Sequence, residues 1–319
     1  MEKRALILGI SGQDGAYLAG FLLNKGYRVS GSSRDAQMSS FSNLLRLGLR
    51  DSVELLSVSL NDFRSVLQGL KETLPDEVYN LAGQSSVGLS FEQPVESFES
   101  ISIGTLNLLE AIRFLETPTR VYNAGSSECF GNTQGRPADE STPFRPRSPY
   151  AVSKAAAFWQ MANYREAYGI FACSGLLFNH ESPLRPPRFV TRKIVNAACR
   201  IAAGSTEKLL LGNTAVQRDW GWAQEYVEAM WLMLQQDSPD DYVIATGQTS
   251  RLQDFVDEVF TDLGLNWRDH VKTSQELFRP TDILTISANP KKAARKLGWK
   301  AKYRMRDVAR MMVKAQRDG

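Results

Sequence analysis

The chain runs to 319 residues, 43% hydrophobic and 23% charged, which suits one large α/β domain or a large domain with a smaller companion. Its 38 basic and 35 acidic side chains leave a net charge of +3, and the basic residues are scattered, so no nucleic-acid or membrane partner is expected while an anionic small ligand fits. With 3 cysteines lacking metal-like spacing, 2 histidines and no G-x-S-x-G elbow, the sequence argues against a disulfide frame, a metal site and a Ser-His-Asp hydrolase.

The first element, "RALILGI", reads as a strand rather than a targeting leader, and no later segment is apolar for long enough to span a bilayer. A cytoplasmic enzyme or binding protein is the expectation. The strand runs into Gly9, Gly12 and Gly15, which open a helix expected over Gly12–Lys25. In this spacing Gly9 permits a tight turn, Gly12 lets the backbone approach a pyrophosphate, and Gly15 lets helix and strand pack closely. The second strand, "YRVSGSS", ends in Ser32, Ser33 and Arg34. A carboxylate there would hold a free ribose 2′-OH; Arg34 suits a 2′-phosphate through a forked contact, with Asp35 beside it pulling the other way.

"VELLSVS", "EVYNLAG", "TRVYNAGSS" and "FACSGLLF" continue the strands, with helices expected at Asp62–Leu74, Pro94–Phe114 and Pro149–Tyr168. This alternation implies βαβ units in a doubly wound parallel sheet, a Rossmann domain over residues 1–178. "NHESPLRPPRF" then reads as a loop leaving the sheet before a helix at Thr191–Ala203. The strands "LLLGN" and "DYVIATG", the helices "WAQEYVEAMWLMLQQ" and "RLQDFVDEVFTDLG" and a last helix at Arg306–Arg317 form a smaller mixed α/β region, residues 179–319, interleaved with the first. Trp220, Trp222 and Trp231 read as packing residues, and His180 as a hydrogen-bonded loop histidine.

The chemistry gathers in two short stretches. Tyr150 and Lys154 stand one helical turn apart on one face. Lowering a phenol from about 10 to about 7 asks for about 4 kcal/mol of differential stabilisation. A neighbouring ammonium and a positive nicotinamide ring supply that kind of stabilisation, making Tyr150 a base for a hydroxyl proton. Ser126, Ser127 and Glu128 end the strand "VYNAGSSE" at the carboxyl edge, where open α/β sheets bind ligands. Simple hydride transfer needs no second acid–base group, whereas removing a proton α to a new carbonyl does, and Glu128 is the candidate.

With those residues in place, "GISGQDGAYLA", "NLAGQSSVGLSFEQP", "SSECFG", "PFRPRSPYAVSKAAAFW", "NHESPLRPPRFVTRKI", "RDWGWAQEYVEAMWLMLQQDSPDDYVIATG" and "FRPTD" resemble the GDP-mannose 4,6-dehydratases of the extended short-chain dehydrogenase/reductase superfamily. The resemblance runs from about Arg4 to Trp299 and implies an NADP-dependent hydro-lyase acting on a GDP-sugar. It implies oxidation of GDP-mannose at C4, loss of water across C5 and C6, and return of the hydride to C6, giving GDP-4-keto-6-deoxymannose with the cofactor recycled. Tyr150 is then the base at the 4-hydroxyl, Lys154 its electrostatic partner and ribose contact, Ser126 the hydrogen bond to the 4-oxygen, and Glu128 the acid–base at C5 and C6. The implied cofactor residues are Gly9, Gly12, Gln13, Asp14 and Gly15; Ser33 and Arg34; Leu60, Leu81, Ala82 and Gln84; and Tyr150, Lys154 and Leu177. The implied substrate residues are Ser85 and Ser86 near the sugar, Asn179 and Arg218 near the diphosphate, Val190 and Lys193 near guanine, Arg279 on phosphate and Asp282 near the ribose. A homodimer or homotetramer built on the Pro94–Phe114 and Tyr150 helices is also implied.

The chain departs from the family pattern at Ser86 (histidine in the pattern), Ser126 (threonine), Asp282 (glutamate), Ser59 (aspartate) and in the loop after Arg34, which is less basic here. These changes keep three other readings open: the same chemistry on GDP-manno-heptose, a GDP-sugar 4-dehydrogenase or 4-keto reductase, and a non-catalytic NADP-sensing protein. The second gives Glu128 no necessary task. The third predicts loss of a catalytic residue, and Ser126, Glu128, Tyr150 and Lys154 are all present.

Overall fold

The computed structural model describes residues 2–318. Its strands in chain order are β1 (Arg4–Leu8), β2 (Arg28–Ser33), β3 (Glu54–Ser57), β4 (Glu77–Asn80), β5 (Arg120–Ala124), β6 (Ala172–Leu177), β7 (Asn179–Glu181), β8 (Leu209–Leu211), β9 (Gln217–Trp222), β10 (Tyr242–Ile244), β11 (Thr249–Arg251) and β12 (Val271–Thr273). The helices are α1 (Gln13–Asn24), α2 (Ser42–Arg46), α3 (Phe63–Thr73), α4 (Val87–Glu92), α5 (Pro94–Phe98), α6 (Gly104–Leu115), α7 (Pro149–Tyr168), α8 (Val190–Ala202), α9 (Ala223–Leu234), α10 (Leu252–Asp262), α11 (Lys291–Lys296) and α12 (Met305–Asp318). Among the described residues no helix is long and apolar enough to cross a membrane.

Seven strands form one parallel sheet in the order β10-β6-β5-β4-β1-β2-β3, the doubly wound order that reverses between β1 and β4. Helices cover both faces, so the central strands are buried along almost their whole length. On one face Leu18 and Leu22 of α1 pack with Val227, Met230 and Met233 of α9. On the other, Val66 and Leu70 of α3 meet Leu108 and Ile112 of α6 and Met161 of α7. The later half of the chain therefore supplies a helix and an edge strand to the main sheet. Its own core lies among α8, α10 and α12, where Ile194, Phe255, Val259, Val308 and Met312 surround Trp220.

α7 shows how local sequence aims the chemistry. Ser148 accepts the Ala151 N–H at 3.1 Å, Pro149 occupies the first turn, and Gly169 closes the helix in a left-handed conformation. The helix thus starts beside the carboxyl end of β5 with Tyr150 in its first turn.

The helix expected over Pro94–Phe114 is interrupted. A turn of π-helix at Glu99–Ile103 separates α5 from α6. The hydroxyls of Ser97, Ser100 and Thr105 each donate to the carbonyl four residues earlier, and this competition for the ladder loosens the helix. Ser100 is thereby turned to accept the Gln84 N–H at 3.2 Å, tying the π turn to the sheet edge.

Candidate active site

The carboxyl ends of β1, β2, β4 and β5 open on a cleft of about 710 Å³. Gly9 stands at φ +85°, a left-handed conformation that favours glycine, and a Cβ on Gly15 would lie 2.5 Å from the Gly9 carbonyl oxygen. Gly12 precedes α1 without a capping side chain, so the first-turn N–H groups of α1 are left to an anion. This cradle fits the pyrophosphate of a dinucleotide. Of the residues expected to hold a cofactor, Gly9, Gly12, Gln13, Asp14, Gly15, Ser33, Arg34, Leu60, Leu81, Ala82 and Gln84 all line the cleft, and Ser85 joins them.

Behind the turn, the His180 ring bridges Asp14 Oδ2 at 2.8 Å through Nε2 and the Phe178 carbonyl at 2.7 Å through Nδ1. Two acceptors on one imidazole require both nitrogens to donate, so the ring carries a proton. Burial opposes His180 protonation, but the charge and hydrogen bond of Asp14 outweigh it and raise the pKa above its ordinary value. Burial likewise works against the Asp14 carboxylate, yet His180 holds it below its usual range. Gln13 completes the clamp: it donates to Asp14 at 2.9 Å and its amide oxygen accepts the Ser182 hydroxyl at 2.7 Å.

Arg34, at the mouth, is 81% exposed and its Nη1 lies 3.3 Å from Glu96 of α5 across the opening. Sequence reasoning missed Arg185, Arg188 and Phe189, which wall the cleft from the loop after β7. Arg185 lies 3.7 Å over the Phe189 ring and pairs with buried Glu181 at 3.2 Å. The run "RPPRF" was the available signal, a rigid loop carrying charge next to a sheet edge.

Beyond Ala124, on the cleft floor, the catalytic candidates converge. Lys154 Nζ donates to the Ala124 carbonyl at 2.6 Å and lies 5.9 Å from the Tyr150 ring centre. Burial lowers the Lys154 pKa to about 8. The expected lowering of Tyr150 is not found here: burial pushes its phenol well above 10, and the Ser126 hydroxyl beside it only partly opposes the rise. The reason is geometric, because the Lys154 ammonium is turned to a carbonyl rather than to the phenol oxygen. Ser126 also accepts the Glu128 N–H at 3.2 Å, fixing the single turn of 3₁₀-helix (Ser127–Phe130) that carries Glu128. The Glu128 carboxylate faces Arg218 of β9, with Oε1 3.8 Å from Nε. The charges of Arg279 and Asp282 are felt at the same guanidinium, the former opposing its charge and the latter favouring it. Asn179 pairs with Trp220, two residues on from Arg218, and the register puts it on the Arg218 face.

Other expected residues stand apart from this cleft. Leu177 is buried at the end of β6, and Val190 begins α8 partly exposed. Lys193 is exposed and donates to the Leu210 carbonyl at 2.7 Å. Ser86 caps α4 by accepting the Leu89 N–H at 3.3 Å.

A family model described as GDP-mannose 4,6 dehydratase matches residues 6–312 of this chain. The chain is 48% identical to GDP-mannose 4,6 dehydratase 1 of Arabidopsis thaliana over 322 residues, covering 98% of this chain and 89% of that one. It is 41% identical over 347 residues to GDP-mannose 4,6-dehydratase of Vibrio cholerae, with 98% and 93% covered. Among solved structures, a dTDP-glucose 4,6-dehydratase from Streptomyces venezuelae with NAD bound superposes with a TM-score of 0.88 at 22% identity, covering 99% of this chain and 97% of that one, a likeness of fold.

Proposed function

Because the chain belongs to the GDP-mannose 4,6-dehydratase family, a class of hydro-lyases, we propose that it converts GDP-mannose to GDP-4-keto-6-deoxymannose with NADP as its resident cofactor. The observation that carries this reading is the second acid–base group: the Glu128 backbone N–H is held by the Ser126 hydroxyl, and the Glu128 charge is felt at the Tyr150 phenol. A dehydrogenase or ketoreductase requires only Tyr150, Lys154 and Ser126.

The glycine cradle, the α1 N-terminus and Arg34 hold the dinucleotide, with Arg185 and Arg188 as further phosphate contacts. When bound, NADP supplies the hydride acceptor at C4 and the hydride donor at C6. Tyr150 takes the 4-hydroxyl proton while Ser126 hydrogen-bonds the same oxygen. For that task the phenol must come down from its raised value, and cationic charge arriving beside it acts in that direction. Lys154, with its depressed pKa, changes charge readily in the working range. Glu128 then removes the C5 proton and protonates the departing C6 oxygen. Arg218 and Arg279 receive the diphosphate, with Asp282 at the ribose. The working form is a homo-oligomer in which a second copy covers exposed Val152 and Trp159 of α7 with Val95 and Phe98 of α5. Light scattering of the purified chain tests this: a monomer would remove it.

The activity is tested with GDP-mannose, and separately GDP-manno-heptose, in deuterated water with catalytic NADP, followed by NMR and mass spectrometry. A 4-keto-6-deoxy product with solvent deuterium at C5 and no net NADPH is expected from GDP-mannose. Stoichiometric NADPH with the C6 oxygen retained would make the protein a dehydrogenase.

A further inference from the structure

The Glu128–Arg218 contact carries an inference that rests on the proposed dehydration and deepens it. Among the described residues Arg218 is the one cation paired with the Glu128 carboxylate, and 3.8 Å is too long for a hydrogen bond. Both side chains are nearly buried, at 8% and 12% exposure, so the pair is felt strongly despite its length. Arg218 is held from its other edge, where Nη1 donates to the Gln217 and Ile283 carbonyls, each at 2.9 Å. Burial disfavours its charge, Glu128 and Asp282 favour it, and Arg279 opposes it. One guanidinium thus grips a carboxylate loosely and feels the opposing charge of a second guanidinium, a combination that suits an arriving dianion.

We propose that Arg218 is a positioning residue linking the two ends of the substrate: it restrains the Glu128 carboxylate until nucleotide arrives, then turns toward the diphosphate and leaves Glu128 to the sugar. In the elimination the C5–H bond breaks and its proton passes to Glu128. The bonding pair becomes the C5–C6 double bond, the C6–O bond breaks, and the same carboxyl returns the proton to the departing oxygen, which leaves as water. A carboxylate paired with a guanidinium is a poor base for this step. Exchanging that partner for the diphosphate leaves the carboxylate free to meet the C5 proton. Binding at the unreactive nucleotide end is thereby used at the reacting end.

The groups that bear on Glu128 are Arg218 from β9, Tyr150 from α7 and the adjacent Cys129, with Arg279 and Asp282 acting through Arg218. Burial raises both the Tyr150 phenol and the Cys129 thiol, the latter to about 12, so both stay neutral and Arg218 supplies the charge that Glu128 feels.

The test uses the full chain with NADP and glutamate labelled with carbon-13 at the side-chain carboxyl, Glu128 being the signal that E128Q loses. Saturating GDP is expected to move the Glu128 carboxyl resonance of the wild type at fixed pH, as Arg218 leaves it. In R218M the resonance is expected to differ from the wild type before any GDP is added and to move less when GDP arrives, with R218K, which keeps the charge, lying between. A wild-type resonance that GDP does not move, or an R218M resonance that GDP moves as far as the wild type, overturns the proposal; if R218M does not fold, an R218K response equal to the wild type does so. Kinetically, R218M or R218K should slow C5 deuterium exchange at least tenfold at saturating GDP-mannose while NADPH still forms transiently, because the diphosphate contact then no longer sets the sugar against the freed Glu128. A rise in KM with kcat and the acidic limb of the pH profile unchanged assigns Arg218 to phosphate binding alone and overturns the proposal too. Absence of NADPH from the wild type with either GDP-sugar removes the dehydratase reading instead, an outcome separate from the carboxyl resonance.

Discussion

Two acid–cation pairs tie the first half of the chain to the second, and they are built differently. Asp14 and His180 meet at 2.8 Å under the phosphate turn, with the imidazole hydrogen-bonded on both sides and stacked 4.5 Å from the Tyr226 ring. Glu128 and Arg218 stand 3.8 Å apart beside the proposed catalytic residues, with the guanidinium's hydrogen bonds going to carbonyls instead. A short pair with every polar atom occupied fixes a turn, whereas a long one leaves a carboxylate able to change partners. The proposed cofactor side of the site is therefore built to hold still and the proposed substrate side to respond.

The sharpest way to break this contrast is Glu128→Gln. If Glu128 is the responsive acid–base, dehydration falls by about 10²–10⁴-fold, the usual worth of such a group, while C4 oxidation continues. Rapid mixing with GDP-mannose would then show NADPH rising and persisting. Loss of the NADPH signal itself would make Glu128 part of the binding frame, no different in kind from Asp14.

Asp14→Asn is next in size. Without the carboxylate His180 sheds its proton, so the loss is that of a charged hydrogen bond at a partly exposed carboxylate, about 1.5–3 kcal/mol. A clear fall in thermal midpoint and weaker NADP binding are expected. An unchanged midpoint would mean that the short pair fixes nothing and the contrast fails.

Acidity separates the two members of that pair. The folded pKa of His180 is raised, so its stabilisation is complete below about 6.5, the unfolded value, and disappears as pH rises through the raised folded value. The folded pKa of Asp14 is lowered, so its contribution is present above about 3.9 and disappears as pH falls through the folded value. The clamp is strongest between these limits. NADP affinity should weaken on the alkaline side in the wild type, and the difference between wild type and His180→Asn should shrink there. A difference independent of pH would assign His180 a packing role only.

The same contrast decides what could be read from the sequence. The cofactor turn and the candidate catalytic residues are written locally: Gly9 to Gly15 lie within one strand-to-helix crossing, Tyr150 and Lys154 within one helical turn, and Ser126 and Glu128 at one strand end. The parallel sheet followed from the alternation of apolar runs with helical ones. The substrate side is made by distant segments, with Arg218 reaching Glu128 only because β9 lies beside β7 and the Ile283 carbonyl anchors the guanidinium. No spacing announces that, and Arg218 and Asp282 came from family resemblance. Arg185 went unread because a Pro-rich charged stretch looks like any solvated loop. The π turn left no mark either, since Ser97 and Ser100 fit a helix until their hydroxyls turn to its carbonyls.

The smallest expected effect lies at the mouth, where a third acid–cation pair differs from both others by being exposed. Arg34 and Glu96 meet at 3.3 Å with 81% and 38% of their side chains in solvent. Glu96 occupies the hand that Arg34 would offer to a 2′-phosphate, and its own charge repels that dianion. Both influences weaken the NADP preference implied by Arg34. Exposed pairs are worth about 0.2–1 kcal/mol, so Glu96→Gln should tighten NADP relative to NAD by no more than about fivefold. The gain should also shrink as salt is added, because charges in solvent are screened. Titrations of both cofactors at low and high salt measure this ratio. A gain that survives high salt would place Glu96 inside the closed site with the other two acids, and the distinction between a fixed interior and an adjustable mouth would then have to be redrawn around α5.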